Sequence, residues 1–513
     1  MPGRASPCQD VGLPLMDGIS AGAADREDGR VPDRRYRRRN PPGTILHQIL
    51  RDHLESFLGR QRDRDHALPR FVERELRASL DCGDLSRGFL RVHCDGCGDD
   101  LLVAISCKSR AACPSCANRR MEDGAAFLIE HVLPDVPYRQ WVMSFPRRLR
   151  LALALDAALT TRVLTITLRA IFAWQRRRAR RLGWRRTRTG SVTFIQRFSS
   201  ALRLNVHFHC LVPDGVFGAE TNAGAGPSFI RLPPPGDQEV ETINRTIARK
   251  TLLLLRRLEP SDHALEADTL ERIYAAAIQP RRPGFPLPVH RPRCSSIEGF
   301  SLHADVHVAA GDRSGLARVC RYGLRPPLAA ERLQLLPSPV AGVRYRLKRS
   351  APGGATHRVM TPLEFLGALS SLVPPPRVHL TRYHGIFAPH ARDRGAVLAA
   401  GSPVAIGPDR PVHDSPRGDP VPSSPDPAAH VTGHAHSCHR SPARPAYRRA
   451  WAELMKKVFA IDVFLCDRCG GRRRIVAAIT QPDLARAILC CVNVSDAYKP
   501  ARAPPHSIET SPA

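Results

Sequence analysis

Two periodicities organise the chain. From Gly190 to Phe217 the sequence GSVTFIQRFSSALRLNVHFHCLVPDGVF alternates with a period of two, which predicts two β-strands and a short polar connection. In the first strand Val192, Phe194, Gln196 and Phe198 alternate with Thr193, Ile195 and Arg197; the second runs from Leu204 to Val212. Alternate residues of a strand share a face, so His207 and His209 project together while Val206, Phe208 and Cys210 point into a core. Two adjacent imidazoles are half of a metal site. The bland alternative is two unrelated, half-buried histidines. Further strands are expected over 136–146, 300–309 and 343–348.

The second periodicity is helical. Ile45, Ile49, His53 and Phe57 recur at spacings of four, and Phe71, Leu76 and Leu80 repeat the pattern, predicting a packing pair of helices over 44–80. One long helix is expected over 147–182 and others over 239–258, 264–278 and 362–372. A helix carrying Leu316, Val319, Tyr322 and Leu324 should stop at Pro326 and Pro327. The fold class is α+β.

Length and charge then narrow the function. A chain of 513 residues exceeds one core, so two to four domains are expected. Its net charge of +29 implies a polyanionic partner, nucleic acid or anionic membrane. No apolar run approaches the roughly 20 residues that span a bilayer, and MPGRASPCQDVGL lacks a signal-peptide core. A cytoplasmic protein with no membrane partner is expected. In that compartment the 15 cysteines read as metal ligands and buried thiols rather than disulfides. No Walker A sequence is present, so no nucleotide cofactor is expected.

Composition divides the chain into a disordered basic arm (1–42), a helical segment plus zinc-binding module (43–135), and a main domain (136–390). A polar linker (391–445), a small C-terminal module (446–490) and a tail (491–513) follow. In the second region Cys94-x-x-Cys97 and Cys113-x-x-Cys116 flank a plausible strand pair. Two such knuckles complete a tetrahedral sulfur site, which predicts a structural Zn2+ in a ribbon. Cys82 and Cys107 are left over, as alternative ligands or buried thiols. The C-terminal module holds a single knuckle, Cys466-x-x-Cys469, half of a second zinc site; Cys490, Cys491 and the linker histidines are candidates to complete it.

Eight arginines lie between Trp174 and Gly190 with two tryptophans among them. A solvated helix end is the plain reading, but this density points Arg176, Arg177, Arg178, Arg180 and Arg181 toward DNA phosphates. Tyr322 sits among Arg318, Arg321 and Arg325. It is a packing tyrosine, or a nucleophile whose arginines hold a phosphodiester and stabilise a phenolate.

Taken in order, these motifs resemble the rolling-circle transposases of the IS91 and ISCR family over roughly 44–390 and 446–490. The shared pieces are GFLRVHC and CPSC, VTFIQRF with LNVHFHCLVPDGVF, CRYGLRPPLAAERL, RYHGIFAP, and FAIDVFLCDRCGGRRRIVAAI. The resemblance implies an HUH (histidine-hydrophobe-histidine) endonuclease core, an antiparallel sheet flanked by helices. There His207 and His209 hold Mg2+ or Mn2+, with Gln196 as the favoured third ligand and His303 and His307 as rivals. Tyr322 would attack single-stranded DNA at insertion-sequence ends and form a 5′-phosphotyrosine, with Arg325 on the DNA. Arg318 stands where two-tyrosine members carry their second tyrosine, so Tyr345 and Tyr383 are candidates for that role. The competing readings are a plasmid replication initiator or relaxase with the same chemistry, a non-catalytic zinc-dependent DNA-binding protein, and a hydrolytic zinc site at the two histidines.

Overall fold

An apolar stripe of Leu46, Ile49, Leu50, Leu54, Phe57 and Leu58 sets how the chain begins to pack. It lies on α1 (Ile45–Asp63), whose first turn is capped by the Thr44 hydroxyl accepting from the His47 amide. The stripe is one position off the expected one, so Ile45 and His53 fall at its margin. α2 (Arg70–Leu80) follows. The computed structural model describes residues 43–65, 67–218, 227–257, 291–337, 342–351, 354–399, 452 and 462–491. The expected basic arm, the helix at 264–278, most of the linker and the tail lie outside the described residues.

Next come β1 (Phe89–Cys94), β2 (Asp100–Ala104) and α3 (Pro114–His131), then β3 (Tyr138–Ser144). The single helix expected over 147–182 is two, α4 (Arg147–Leu155) and α5 (Ala157–Arg181). Asp156 separates them: its carboxylate accepts from the amides of Ala158 and Leu159 and starts α5 afresh. β4 (Thr187–Arg188), β5 (Gly190–Phe198) and β6 (Leu204–Pro213) follow. β7 (Gly215–Gly218) and β8 (Phe229–Arg231) form a small sheet with β4.

After α6 (Asp237–Arg256) come β9 (Cys294–Ile297), β10 (Phe300–His303), β11 (His307–Val308) and α7 (Arg313–Leu324). The chain continues through β12 (Leu333–Leu336), β13 (Gly342–Arg346), β14 (His357–Met360), α8 (Pro362–Leu372), β15 (Thr381–Gly385) and α9 (Arg394–Ala399). α9 stands where the linker was expected to begin, and its Val397 is buried. The last elements are β16 (Arg473–Ile479) and α10 (Pro482–Cys491).

The central sheet runs β15-β5-β6-β3-β10-β9 with β11 also on β3, and its pairings are antiparallel. One face buries Ile195, Val206, Phe208, Cys210, Trp141 and Met143 against helices that include α1, α4, α5 and α8. The N-terminal helical pair therefore belongs to the main core. The opposite face packs Val192, Phe194 and Leu211 against α3 and α7. By length and composition alone α5 could cross a membrane, contrary to expectation, but more than half of its apolar window is buried inside the protein. Twelve described cysteines are free thiols, and Cys294 is disulfide-bonded, a departure from the expected thiol-only usage.

The C-terminal segment departs from expectation in a way that matters for the metal sites. β16 pairs antiparallel with β1 from Phe89↔Ile479 to Cys94↔Arg473, making it the third strand of the β1-β2 sheet. Arg473 reinforces the junction with a 2.6 Å ion pair to Asp99. Residues 462–491 are thus part of the zinc-binding unit rather than a module apart.

Candidate active site and thiol clusters

Register assembles the first site. β5 and β6 set Gln196 opposite His207 and Phe194 opposite His209. β3 sets Ser144 opposite His207 and Val142 opposite His209, and β10 then sets His303 opposite Val142. Residues opposite one another in an antiparallel pair share a face. The two histidines, Gln196, Ser144 and His303 therefore line one side of the sheet, the side on which α7 lies.

α7 is held there at both ends. The Asp312 carboxylate accepts from the Gly315 amide at 2.7 Å and caps its start. At its end, Gln196 Nε2 donates to the carbonyls of Tyr322 at 2.7 Å and Gly323 at 3.1 Å, acceptors a helix terminus leaves unpaired. Gly323 lies directly on Phe194; a Cβ there would sit well inside the ring's contact distance. Only glycine lets this helix end approach so closely.

That approach brings Tyr322 to the histidines. Its ring meets His209 edge to face, centroids 5.5 Å apart, and His207 and His209 are 4.9 Å apart. The Arg325 guanidinium stacks over the Tyr322 ring at 4.3 Å, and the Lys348 ammonium lies 5.2 Å from it. Of the three arginines near Tyr322 in sequence, Arg318 and Arg321 turn instead to Asp312 and Glu122. Arg325 alone of the three stays, donating also to Gln196 Oε1 at 3.3 Å. Burial lowers the Lys348 ammonium to about 8. Lys348 was not singled out from the sequence, because its approach to Tyr322 depends on packing after β13.

Burial also keeps both imidazoles neutral. It pulls His207 down to about 3, and His209 well below its ordinary value, with the neighbouring His207 adding to the effect. His207 Nδ1 lies 2.8 Å from the Asn205 carbonyl, so it carries the proton and leaves Nε2 as a lone-pair donor. Both nitrogens of His209 are buried without a hydrogen-bond partner, as are the side-chain atoms of Asn205 and the Ser144 hydroxyl. Orphaned buried polar atoms each cost about 1–3 kcal/mol. Their concentration around two neutral imidazoles fits a ligand sphere for a divalent cation. Among the described residues, no third His, Cys, Asp or Glu closes a group with His207 and His209. Gln196 lies opposite His207 in register, and its Oε1 accepts from Arg325.

The remaining candidates separate. His303 Nδ1 is buried and unpartnered, whereas His307 Nε2 lies 3.6 Å from Asp214, which is itself paired with Arg139. Tyr345 is buried and its hydroxyl accepts from the Ala329 amide, a structural role. Tyr383 is on β15 opposite Val192. In the arginine-rich end of α5, Arg177, Arg180 and Arg181 are exposed and Arg176 is half-buried. Arg178 is paired with Glu239 at 2.7 Å. Trp174 is buried edge-on against Trp141 and is not a stacking surface.

The thiols regroup. The structure does not bring Cys94 and Cys97 together with Cys113 and Cys116. Cys82, Cys107, Cys113 and Cys116 form one cluster, and Cys94, Cys97, Cys466 and Cys469 form another. Sulfur separations are 3.5–3.6 Å in both: Cys82 to Cys113 and Cys116, Cys107 to Cys116, Cys94 to Cys469, and Cys97 to Cys466. A tetrahedron of thiolates around zinc, with Zn–S of about 2.3 Å, requires edges of roughly 3.8 Å. Hydrogen bonding to its neighbours, Cys107 first, lowers the Cys82 thiol, while the same network raises Cys113. Four clustered thiols cannot all ionise unaided, and a divalent cation resolves that conflict. Both sets fit structural zinc.

The sequence did hold a signal for this pairing. Cys94-Asp-Gly-Cys97-Gly98 and Cys466-Asp-Arg-Cys469-Gly470 are the same knuckle, and the glycine after each adopts positive φ, +73° and +72°. The Cys113-Pro-Ser-Cys116 pair differs, because it opens α3.

Two family models match parts of the chain. A family model described as “Transposase zinc-binding domain” matches residues 49–145, and one described as “Putative transposase” matches residues 190–394. Among curated proteins and among solved structures, nothing matches. The first span contains Cys82, Cys107, Cys113 and Cys116; the second contains Gln196, His207, His209, Tyr322 and Lys348.

Proposed function

The chain belongs to the IS91-type transposases, and from that premise we propose that it nicks and rejoins single-stranded DNA at insertion-sequence ends through a 5′-phosphotyrosine on Tyr322. One observation carries the reading: Tyr322 packs edge to face on His209, beside His207, at the end of a helix fixed by Gln196. The seven-stranded antiparallel sheet behind these residues supports an HUH endonuclease core.

The Tyr322 phenolic oxygen attacks the scissile phosphorus; the P–O bond to tyrosine forms as the bond to the 3′ oxygen breaks. The phenolic proton leaves to solvent, and the departing 3′ oxygen takes one up. The phosphodiester energy stays in the protein–DNA bond and is available for rejoining. His207 and His209, neutral at physiological pH, with the Gln196 carbonyl, would hold Mg2+ or Mn2+, which supplies Lewis-acid polarisation of the phosphate when bound. Arg325 and Lys348 set two positive charges against the tyrosine ring, where they favour the phenolate and the charge developing on phosphorus. The two four-cysteine sites bind zinc structurally and offer no open position for chemistry. Exposed Arg177, Arg180 and Arg181 supply non-specific phosphate contacts. A cytoplasmic, nucleoid-associated location fits this activity.

The test is single-turnover cleavage of end-labelled single strands from the element's own ends. His207→Ala and His209→Ala should each lower cleavage by roughly a hundredfold or more, with DNA binding retained. Undiminished cleavage in both variants would remove the two histidines from the reaction.

A further inference from the structure

Beside the helix that carries Tyr322 lies a cavity of about 570 Å3. Its walls come from parts of the chain far apart in sequence. They are the segment 110–121 of the zinc-binding unit, 195–198 of β5, 323–327 at the end of α7, and 372–383 leading into β15. Arg110, Arg120, Arg197, Arg325 and Arg377 contribute to the lining, and no carboxylate does. Burial lowers Arg110 from its ordinary value, and Arg120 repels it further. The positive charge of the lining, offset only in part by the Glu75 carboxylate behind Arg110, favours an anion.

The recess is built rather than incidental. The Glu75 carboxylate accepts from the amides of Arg110 and Ala111, fixing the turn that carries Arg110 just ahead of Cys113 and Cys116. Arg110 in turn donates to the carbonyls of Pro375 at 3.0 Å and Val378 at 2.6 Å, tying the zinc-binding unit to the opposite wall. The volume falls in the range of roughly 300–1,000 Å3 that takes a small molecule. It is large enough for one nucleotide. Gln196 and Arg325 belong both to this cavity and to the surroundings of Tyr322.

We propose that this cavity is a subsite for one nucleotide of the single strand, adjoining the scissile phosphate, with its arginines on the backbone phosphate and Tyr383 facing the base. The zinc-binding unit then contributes directly to substrate binding, because its cluster of Cys82, Cys107, Cys113 and Cys116 anchors the wall that carries Arg110 and Arg120. Stacking of a base on an aromatic ring tolerates any sequence, so the subsite would read strandedness rather than sequence. This inference rests on reading the chain as a single-strand nuclease.

The experiment uses the full chain as Tyr322→Phe, with a fluorescein-labelled 15-mer oligothymidylate, and follows anisotropy across a salt series. Arg120→Gln with Arg377→Gln, both exposed in this structure, should weaken binding about tenfold and flatten the log–log salt slope by roughly 0.7, the contribution of the subsite's one phosphate. Unchanged affinity and slope in a variant of normal zinc content and near-UV dichroism would overturn the subsite. So would a hairpin duplex competing as well as the single strand. A second measurement needs no arginine variant: 4-thiothymidine placed beside the nick position should photocrosslink to peptides 110–121 or 372–383. Crosslinks found only elsewhere would overturn the proposal. Adduct formation by the wild-type chain separates the two readings. Its absence with the subsite intact sinks the nuclease alone, and its presence with binding indifferent to the two arginines sinks the subsite alone.

Discussion

Gln196 Nε2 donates to the backbone carbonyl of Tyr322 at 2.7 Å, so a side chain on the sheet fixes the position of the tyrosine's own main chain. Because the same amide group also reaches Gly323, both hydrogens are used on α7 and the carbonyl oxygen is turned the other way, where Arg325 meets it. Gln196→Ala should therefore loosen the end of α7 and lower adduct formation on Tyr322 by roughly a hundredfold through misplacement. The cost to global stability should be only about 1–3 kcal/mol. A quench-flow time course with a parallel thermal melt separates the two; an adduct rate equal to wild type would free Gln196 of this positioning role.

Gly323→Ala tests the same geometry from the helix side. The added methyl has no room against Phe194, and overpacking of this kind costs about 1–3 kcal/mol. A lowered Tm together with loss of adduct is expected. A variant that melts and reacts like the wild type would contradict the close approach.

The thiol geometry predicts two zinc ions per chain by elemental analysis. Cys82→Ser and Cys466→Ser should each lose one, and Cys94→Ser should lose the same ion as Cys466→Ser. A chain ended before residue 446 should also lose one ion. If Cys94→Ser and Cys113→Ser instead abolished a single shared ion, the pairing of the knuckles would be as the local spacing suggests and not as the fold places it.

Lys348 predicts an alkaline limb. Its folded value of about 8 lies below the ordinary 10.5, with burial the main cause. Between those two values the unfolded chain keeps a proton that the folded chain has lost, so stability rises with pH across that window. For activity the sign is opposite, since the ammonium beside Tyr322 is lost as pH rises through about 8. Adduct formation should decline there, and Lys348→Met should be slower below pH 8 and lack that decline. An unaltered pH profile in the variant would remove Lys348 from the site.

What the sequence disclosed follows the range of the forces involved. Period-two alternation placed His207 and His209 on one face, because strand geometry is local; Gln196 entered only through the family resemblance, and its register opposite His207 comes from the β5–β6 pairing. The helix carrying Tyr322 was equally legible from Leu316, Val319 and the prolines after Leu324. The cysteine pairing was not: 372 positions separate Cys94 from Cys466, and nearness in sequence favoured Cys113 and Cys116. Similarity of the two knuckles was the better guide, since each needs a glycine with positive φ after its second cysteine. Trp174, among the arginines of α5, is buried against Trp141, a long-range contact that local composition does not show.

The most direct test of the central claim is the species that survives denaturation. Labelled single-stranded DNA from the element's own ends, incubated with the chain in Mn2+, should yield a labelled band at protein size on a denaturing gel. That band should require the metal and disappear in Tyr322→Phe. A cleaved strand with no covalent band, or a band persisting in Tyr322→Phe, would contradict attack by Tyr322.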